Sequence, residues 1–241
     1  MSKIICLWSS PRNISTALMY SFAQRLDTMV LDEPFYAFYL SHVNPTVFHP
    51  GKKNILMTQS NSFNQVLSEI NSEISKEILF IKNMTHHLKG SSLEFAKNWI
   101  NIILTRNPEQ SIISFSKVLK QPTQDDIGYK LQYEAALQFK EMGADFYILN
   151  SDDLLTNPKK ELQKICGFSS VDFTENMLKW PKGGIKEDGV WARYWYENVH
   201  QSTGFEKSIS NFELKVDGSL FPLLKECNYF HQKLINMEDQ N

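Results

Sequence analysis

A polar loop directly follows the first apolar run of the chain and has residue types that bind anions. The run Ile4–Trp8 is followed by Ser-Ser-Pro-Arg-Asn-Ile-Ser-Thr, residues 9–16. Arg12 supplies a positive charge, and the hydroxyls of Ser15 and Thr16 stand at the start of a helical pattern, where backbone N–H groups lack intrahelical partners. The loop predicts a phosphate-binding turn. Because it lacks the glycines and lysine of G-x-x-x-x-G-K-[ST], a magnesium-nucleotide site has no motif to support it.

A second cation stands at the end of another apolar run, residues 100–105. Arg106 follows this run, and Asn107-Pro108 then begins a helical pattern that carries Ser114. Asn before Pro is typical of a helix start, since Asn caps the helix and Pro fits its first turn. The carboxyl ends of parallel strands meet at one edge of a sheet, so we expect two anion-binding helix starts side by side. Each motif taken alone also fits an ordinary capped helix beside a surface arginine.

Short runs rich in β-branched and aromatic residues predict the strands that position these loops. The predicted strands are 3–8, 28–31, 78–82, 100–105 and 145–149. Each is apolar almost throughout, as expected for parallel strands covered on both faces. Helical spacing predicts helices over 15–25, 63–74, 108–119 and 126–142, and Gly143 and Gly167 fall where helices end, with Asn157 before another helix start. This alternation predicts a three-layer α/β fold with a central parallel sheet of about five strands.

Composition is that of an ordinary globular protein. The chain has 241 residues, 42% of them hydrophobic, and no apolar run near the length of a membrane span. A net charge of -2 argues against a general nucleic-acid partner. Three scattered cysteines and no signal-peptide pattern favour a cytoplasmic location. We expect one domain over 1–241, with the motifs in about 3–205, an irregular loop from Lys182 onward, and a helical C-terminal segment over about 206–241.

In order and spacing, these motifs resemble those of sulfotransferases that use 3′-phosphoadenosine 5′-phosphosulfate (PAPS), a family with a P-loop-like fold. The family's first loop is similar to residues 11–16, and its Arg with a Ser eight residues later is similar to Arg106 and Ser114. Further similarity lies in 152–168 and 182–191. Taken together, the similar segments cover roughly residues 3–205.

The chain departs from the family pattern at two positions of the first loop. Ile14 stands where the family has glycine, and a β-branched residue is disfavoured if that position needs a left-handed backbone. Arg12 stands where many members have Lys, and a guanidinium can grip anion oxygens bidentately.

The resemblance implies a donor-nucleotide site that needs no metal. PAPS would be the sulfuryl donor, and 3′-phosphoadenosine 5′-phosphate (PAP) the product. The first loop would hold the 5′-phosphosulfate, and Arg106 with Ser114 would hold the 3′-phosphate. The implied cofactor-binding residues are Arg12, Asn13, Ser15, Thr16, Arg106, Ser114, Lys182, Gly183 and Trp191.

The acceptor must lose a proton during sulfuryl transfer, and several side chains could accept it. Lys82 matches the lysine of the family's Lys-His motif and would stabilise the transferring group or the bridging oxygen. His86 or His87, displaced by about two residues from the family's histidine, is the favoured base because an ordinary His pKa is near neutrality. Glu33 is the alternative, and Pro34 predicts an extended turn that presents its carboxylate. An ordinary loop histidine pair and a solvated acidic turn stay open as interpretations.

Two aromatic clusters flank these motifs, residues 35–39 and 191–196. Both fit a hydrophobic core, and both also fit a pocket wall beside the acceptor or the adenine.

The resemblance implies transfer to a hydroxyl or amine of a small-molecule or carbohydrate acceptor. The alternatives are a nucleotide or small-molecule kinase on the same fold, which would need a Walker lysine and a Mg²⁺-binding carboxylate, and a catalytically inactive nucleotide-binding relative. The identity of the acceptor and the oligomeric state stay open.

Overall fold

The computed structural model of the chain describes residues 2–43, 45, 48–72, 74–206 and 215–238. Within this part of the chain, parallel strands form a five-stranded sheet in the order β2-β3-β1-β4-β5. The strands are β1 (Lys3–Ser9), β2 (Thr28–Asp32), β3 (Ile78–Met84), β4 (Ile100–Thr105) and β5 (Phe146–Asn150). All five predicted strands and the parallel α/β fold class are confirmed.

Helices connect the strands and cover both faces of the sheet. They are α1 (Ser15–Ala23), α2 (Tyr36–His42), α3 (Lys52–Thr58), α4 (Phe63–Ser72), α5 (Pro108–Ser116), α6 (Gln124–Ile127), α7 (Tyr129–Glu141), α8 (Ser151–Thr156), α9 (Pro158–Phe168), α10 (Ala192–Trp195), α11 (Glu197–Gln201) and α12 (Phe221–Glu238). The predicted helix over 126–142 is wrong in one respect, because it is two helices. Gly128, at φ 84°, lies in the left-handed region and separates α6 from α7.

Helix ends follow the predicted capping chemistry at three positions. The side chains of Asn107 and Asn157 accept hydrogen bonds from backbone N–H groups in the first turns of α5 and α9. Gly143 follows α7 with φ 67°, a conformation that glycine adopts without steric cost. The Asn107 cap sets where α5 begins, beside the end of β4.

The predicted role of Gly167 as a helix end is wrong. Gly167 lies inside α9, and Ser170, at φ 51°, takes the left-handed position instead. The Val171 N–H donates to the Cys166 carbonyl at 2.9 Å, which closes the helix around Ser170.

Two hydrophobic cores lie on opposite faces of the sheet. On one face Leu7 packs among α1 side chains, and the rings of Phe22 and Phe80 stack at 4.1 Å. On the other face Trp8 packs against Phe139 of α7 with ring centroids 5.5 Å apart. Because neighbouring residues of β1 point to different buried faces, the strand needs an unbroken apolar run.

The C-terminal part combines an irregular segment with helices, as expected. After short α10 and α11, the long helix α12 packs against α7, with Leu234 and Met237 in the second core. Residues 207–214 and 239–241 of the expected helical segment lie outside the described residues. None of the described helices combines the length and apolar character needed to cross a bilayer. The extent of a single domain over 1–241 stays a prediction.

Candidate active site

A cleft of about 1310 Å³ opens at the carboxyl edge of the sheet. β1 lies between β3 and β4, so the loops that follow these three strands adjoin there. Most of the predicted site residues line the cleft: Arg12, Asn13, Ser15, Thr16, Glu33, His86, His87, Arg106 and Ser114. Lys82, Lys182, Gly183 and Trp191 are outside its lining.

The loop after β1 holds two non-glycine residues in the left-handed region. Arg12 has φ 65° and Ile14 has φ 64°. Ile14 is the N-cap residue of α1, and its side chain also packs against the first core. This packing favours an apolar residue at the position, although its backbone is strained. The position where the family has glycine therefore does require a left-handed backbone in this chain.

Asn13 fastens this loop to the sheet. Its amide nitrogen donates to the Leu104 carbonyl at 2.6 Å, and its Oδ1 accepts from the Ser9 hydroxyl at 2.8 Å. The Asn13 side chain is buried, and these hydrogen bonds hold the loop in place.

The start of α1 presents backbone donors to the cleft. No described side chain caps this helix, and Leu18 makes the first intrahelical bond, to Ile14. The N–H groups of Ser15, Thr16 and Ala17 precede that bond and belong to residues that line the cleft. An anion there would meet these donors and the positive end of the helix dipole.

The two predicted arginines converge at this end of the cleft. Arg106 donates from Nη1 to the Arg12 carbonyl at 2.7 Å, and from Nε and Nη2 to Gln110 Oε1 at 3.1 and 2.8 Å. Arg12 donates from Nε to Ser114 Oγ at 3.1 Å. Burial, and then the nearby charge of Arg106, lower the pKa of Arg12. Two neighbouring guanidiniums repel each other, and an anion between them removes that repulsion.

A buried ionic network lies at the ends of β2 and β3. The Lys82 ammonium donates to Asp32 Oδ1 at 2.9 Å, to Glu33 Oε1 at 2.5 Å and to the Tyr196 hydroxyl at 2.5 Å. Burial opposes the charge on Lys82, but Asp32 and Glu33 raise its pKa above the ordinary value. Because its three protons are directed to these partners, Lys82 does not face the cleft.

Glu33 is the carboxylate of this network that lines the cleft, which Tyr196 also lines. Its backbone has φ 44°, so the predicted extended turn is wrong. Its N–H donates to the Lys82 carbonyl at 2.8 Å, and this bond, with the ion pair to the same lysine, holds the strained conformation. Burial raises the pKa of Glu33, against the opposing charge of Lys82.

The predicted histidines lie in the 3₁₀ turn Thr85–Leu88 that follows β3. The His87 ring stacks against both Tyr36 and Tyr39, with centroids at 4.6 and 4.8 Å, and its Nε2 lies 3.8 Å from Glu33 Oε2. Burial lowers the pKa of His86 to about 3 and lowers the pKa of His87 well below its ordinary value. Both rings are therefore neutral, and burial makes them weak bases.

Three other predicted residues, Lys182, Gly183 and Trp191, lie in the irregular segment that begins at Lys182. Lys182 is exposed, and Gly183 donates its N–H to the His200 carbonyl at 2.9 Å. Trp191 is buried and donates from Nε1 to the Tyr196 hydroxyl at 3.0 Å. Their predicted contact with a nucleotide stays a prediction.

The aromatic clusters divide between core and cleft. Phe35 lies in the second core, whereas Tyr36 and Tyr39 line the cleft. In the 191–196 cluster Trp191 is buried in the first core, and Trp195 lines the cleft and packs against that core. Tyr36 and Tyr39 also belong to the first core, so some rings serve both as core and as cleft wall, and their contact with an acceptor or with adenine stays a prediction.

Sequence analysis assigned no ionic or hydrogen-bonding role to three residues of the site: Asp32, Gln110 and Tyr196, the last of which it placed only in the aromatic cluster 191–196. Asp32 pairs with Lys82 in the β2-β3 register, and an acidic residue after one apolar run with a lysine ending another was the available signal. Gln110 lies one helical turn after Arg106, a spacing that permits their contact. The bonds of Tyr196 to Lys82 and Asp32 gave no signal, because these partners are far away in the sequence.

The profile of the family described as "Sulfotransferase domain" matches residues 2–216, and the chain belongs to this family. The resemblance read from the motifs is confirmed.

Two relatives are proteins of Arabidopsis thaliana. "Branched-chain-amino-acid aminotransferase-like protein 1" is 37% identical over 206 residues, 84% of this chain and 36% of the relative. Protein 2 of the same name is 36% identical over 231 residues, 93% of this chain and 40% of the relative. The chain thus spans well under half the length of these relatives.

Solved structures share the fold. The "Sulfotransferase Domain from the Curacin Biosynthetic Pathway" has a TM-score of 0.58 at 17% identity, over 97% of this chain and 98% of that one. A sulfotransferase from Alicyclobacillus acidocaldarius has a TM-score of 0.59 at 8% identity, over 99% and 97%. At these identities the likeness concerns the fold, which is P-loop-like.

Proposed function

We propose that this chain is a sulfotransferase that uses PAPS and transfers its sulfuryl group to a hydroxyl or amine of a small-molecule or carbohydrate acceptor. The observation that carries the proposal is the juxtaposition of Arg12 and Arg106, at an uncapped helix start, with the buried carboxylate of Glu33 in one cleft. Cations and backbone donors suit a donor with several negative charges, and the carboxylate suits an acceptor that must lose a proton.

The residues of the first loop would bind the 5′-phosphosulfate. This assignment is supported by the cleft lining, which includes Arg12 and the first residues of α1, Ser15, Thr16 and Ala17. Arg106 and Ser114 would bind the 3′-phosphate. When bound, PAPS supplies the sulfuryl group, and the protein supplies charge and alignment.

Glu33 is the base in this proposal, in place of His86 or His87. Its Oε1 is held by Lys82, and its Oε2 points toward His87 at the cleft. Burial raises the pKa of Glu33, which strengthens it as a base, whereas burial lowers the pKa of both histidines. Lys82 contributes by holding Glu33, since its own protons are engaged.

Nucleotide binding tests the proposal. Isothermal titration with PAP, ADP, and ATP with and without Mg²⁺ should show that PAP binds best and needs no metal. Arg106→Ala should weaken PAP by about tenfold or more while affecting ADP less, because charge-assisted bonds to the 3′-phosphate are lost.

The loss for PAP relative to ADP is the diagnostic quantity, since Arg106 also supports the Arg12 carbonyl and its removal can disturb both ligands. Arg193→Ala, which removes an equal charge from an exposed residue outside the cleft lining, is the matched control. Binding of ATP only with Mg²⁺, or equal losses for PAP and ADP, would contradict the proposal.

A further inference from the structure

Tyr196 joins the ionic network at the ends of β2 and β3 from the distant segment between α10 and α11. Its hydroxyl lies 2.5 Å from Lys82 Nζ, 2.8 Å from Asp32 Oδ2 and 3.0 Å from Trp191 Nε1. The side chain is buried, and its oxygen is 3.2 Å from Glu33 Oε1.

The hydrogen-bonding capacity of this hydroxyl is fully used. A tyrosine hydroxyl donates one proton and accepts two bonds. The Lys82 ammonium and the Trp191 indole can only donate, so they occupy both acceptor positions, and the single proton goes to a carboxylate, nearest Asp32 Oδ2. Replacement by any residue without this combination would leave a buried donor unpaired.

The carboxylates of Asp32 and Glu33 differ in how many hydrogen bonds they accept. Asp32 accepts from Lys82, Tyr196 and the Gly189 N–H at 3.1 Å. Glu33 Oε1 accepts from Lys82 at 2.5 Å. Among the described contacts, Glu33 Oε2 meets only the neutral His87 ring, at 3.8 Å. One carboxylate is thus fully engaged, and the other keeps a single oxygen for the cleft.

We propose that Tyr196 is a positioning residue for Glu33: it fixes the Lys82 ammonium so that Glu33 Oε1 is held and Oε2 is directed to the acceptor. The inference rests on the proposed function in so far as Glu33 is the base. It makes the 189–196 segment, which also supplies the Gly189 N–H, a part of the catalytic apparatus.

The variant Tyr196→Phe removes only the hydroxyl and so tests its effect separately from that of the ring. The ring, which lies 4.7 Å from Lys82 Nζ, is retained, while the bonds to Lys82, Asp32 and Trp191 are lost. Tyr194→Phe removes a hydroxyl from the same segment at a partly exposed side chain outside the cleft lining, and is the matched control.

The titration of Glu33 reports on the contact directly. The groups that face Glu33 are Lys82, Asp32, Tyr196, His87 and Tyr36. Of these, Lys82 favours the ionised carboxylate, and the Tyr196 hydroxyl holds the Lys82 ammonium against it, so loss of this hydroxyl should move the titration of Glu33 to higher pH.

We would follow the glutamate carboxyl carbons of the full chain by 13C NMR between pH 4 and pH 9, with Glu33→Gln to identify the resonance. Tyr196→Phe should shift the Glu33 midpoint upward and Tyr194→Phe should not. With PAPS and water as the probe acceptor, PAP release by Tyr196→Phe should fall by about tenfold, with unchanged PAP affinity.

An unchanged midpoint together with unchanged PAP release in Tyr196→Phe would overturn the inference. Failure of the wild-type chain to bind PAP would instead overturn the proposed function, while the NMR titration would still test the Tyr196 contact. If Tyr196→Phe does not fold, Trp191→Phe, which removes one donor to the same hydroxyl, should give a smaller upward shift. No shift in that variant would count against the inference.

Discussion

Glu33 combines a strained backbone with a buried charge. A non-glycine residue at φ 44° and a carboxylate in the interior each cost free energy, and both persist because Lys82 is bonded to the Glu33 backbone and side chain. Strained backbone conformations of this kind cluster at active sites and ligand-binding sites, which points to a role of Glu33 in the chemistry.

Substitution of Glu33, His86 and His87 in turn shows which of them is the base. Glu33→Gln keeps the shape of the side chain but cannot accept a proton, so the turnover number should fall on the order of a hundredfold or more. His86→Asn and His87→Asn should have much smaller effects. In the wild type the rate should decline as the pH falls through the raised pKa of Glu33, since the base must be ionised.

PAP release from PAPS measures these rates, and PAP affinity controls for damage to the nucleotide site. A large loss in His86→Asn or His87→Asn, with near-normal turnover by Glu33→Gln, would return the base to the histidines favoured by sequence.

At the scale of secondary structure, the start of α5 brings Arg106 and Ser114 into the cleft. Asn107 caps this helix and Pro108 begins it. The same Asn-Pro arrangement begins α9 at Asn157, outside the cleft lining. The part of the chain that the structure describes thus has two like caps, at Asn107 and Asn157, and the Asn107 cap adjoins the candidate site.

Removal of each cap should distinguish stability from function. Asn107→Ala and Asn157→Ala should each lower the free energy of unfolding by about 1 kcal/mol, the usual contribution of an Asn cap. Only Asn107→Ala should also weaken PAP, because it loosens the turn that carries Arg106. Urea unfolding and isothermal titration measure the two effects. Equal PAP affinity in the two variants would show that the α5 cap does not position the site.

At the scale of the whole molecule, burial of neutral histidines ties stability to pH. His86 has an ordinary pKa of 6.5 when unfolded and a pKa of about 3 when folded, because it is buried. The unfolded chain therefore binds the extra proton below pH 6.5, and the folded chain does not. The contribution of His86 is fully present above pH 6.5 and is lost as the pH falls from 6.5 toward 3.

The expected loss is about 2 kcal/mol for His86 at pH 5 relative to neutral pH. Urea unfolding at pH 7.5 and pH 5 should therefore show a smaller pH dependence in His86→Asn than in the wild type. His42→Asn, at an exposed histidine, is the control. The comparison between variants is needed because Glu33, with a raised pKa, contributes in the opposite sense as the pH rises above 4.5. An equal pH dependence in His86→Asn and the wild type would contradict this prediction.

Local patterns sufficed for the strands, the Asn caps and the two cationic loops. An apolar run of strand length or an Asn-Pro pair acts through its nearest neighbours, so its structure is encoded where it stands. Where two local conformations were both compatible with the pattern, the prediction was wrong: α9 continued past Gly167 to Phe168, with Ser170 in the left-handed position beyond it, and Gly128 divided a helix that was predicted as continuous.

The sequence by itself determined the parallel α/β fold, the family resemblance and the two cationic loops that meet at one end of the cleft. Only the tertiary structure decided that Lys82 faces Asp32 and Glu33 and that Tyr196, 114 residues further along the chain, completes the network. The physical reason is that register and burial depend on how distant segments pack. The same packing desolvates the histidines and Glu33, and so shifts their pKa values in opposite directions.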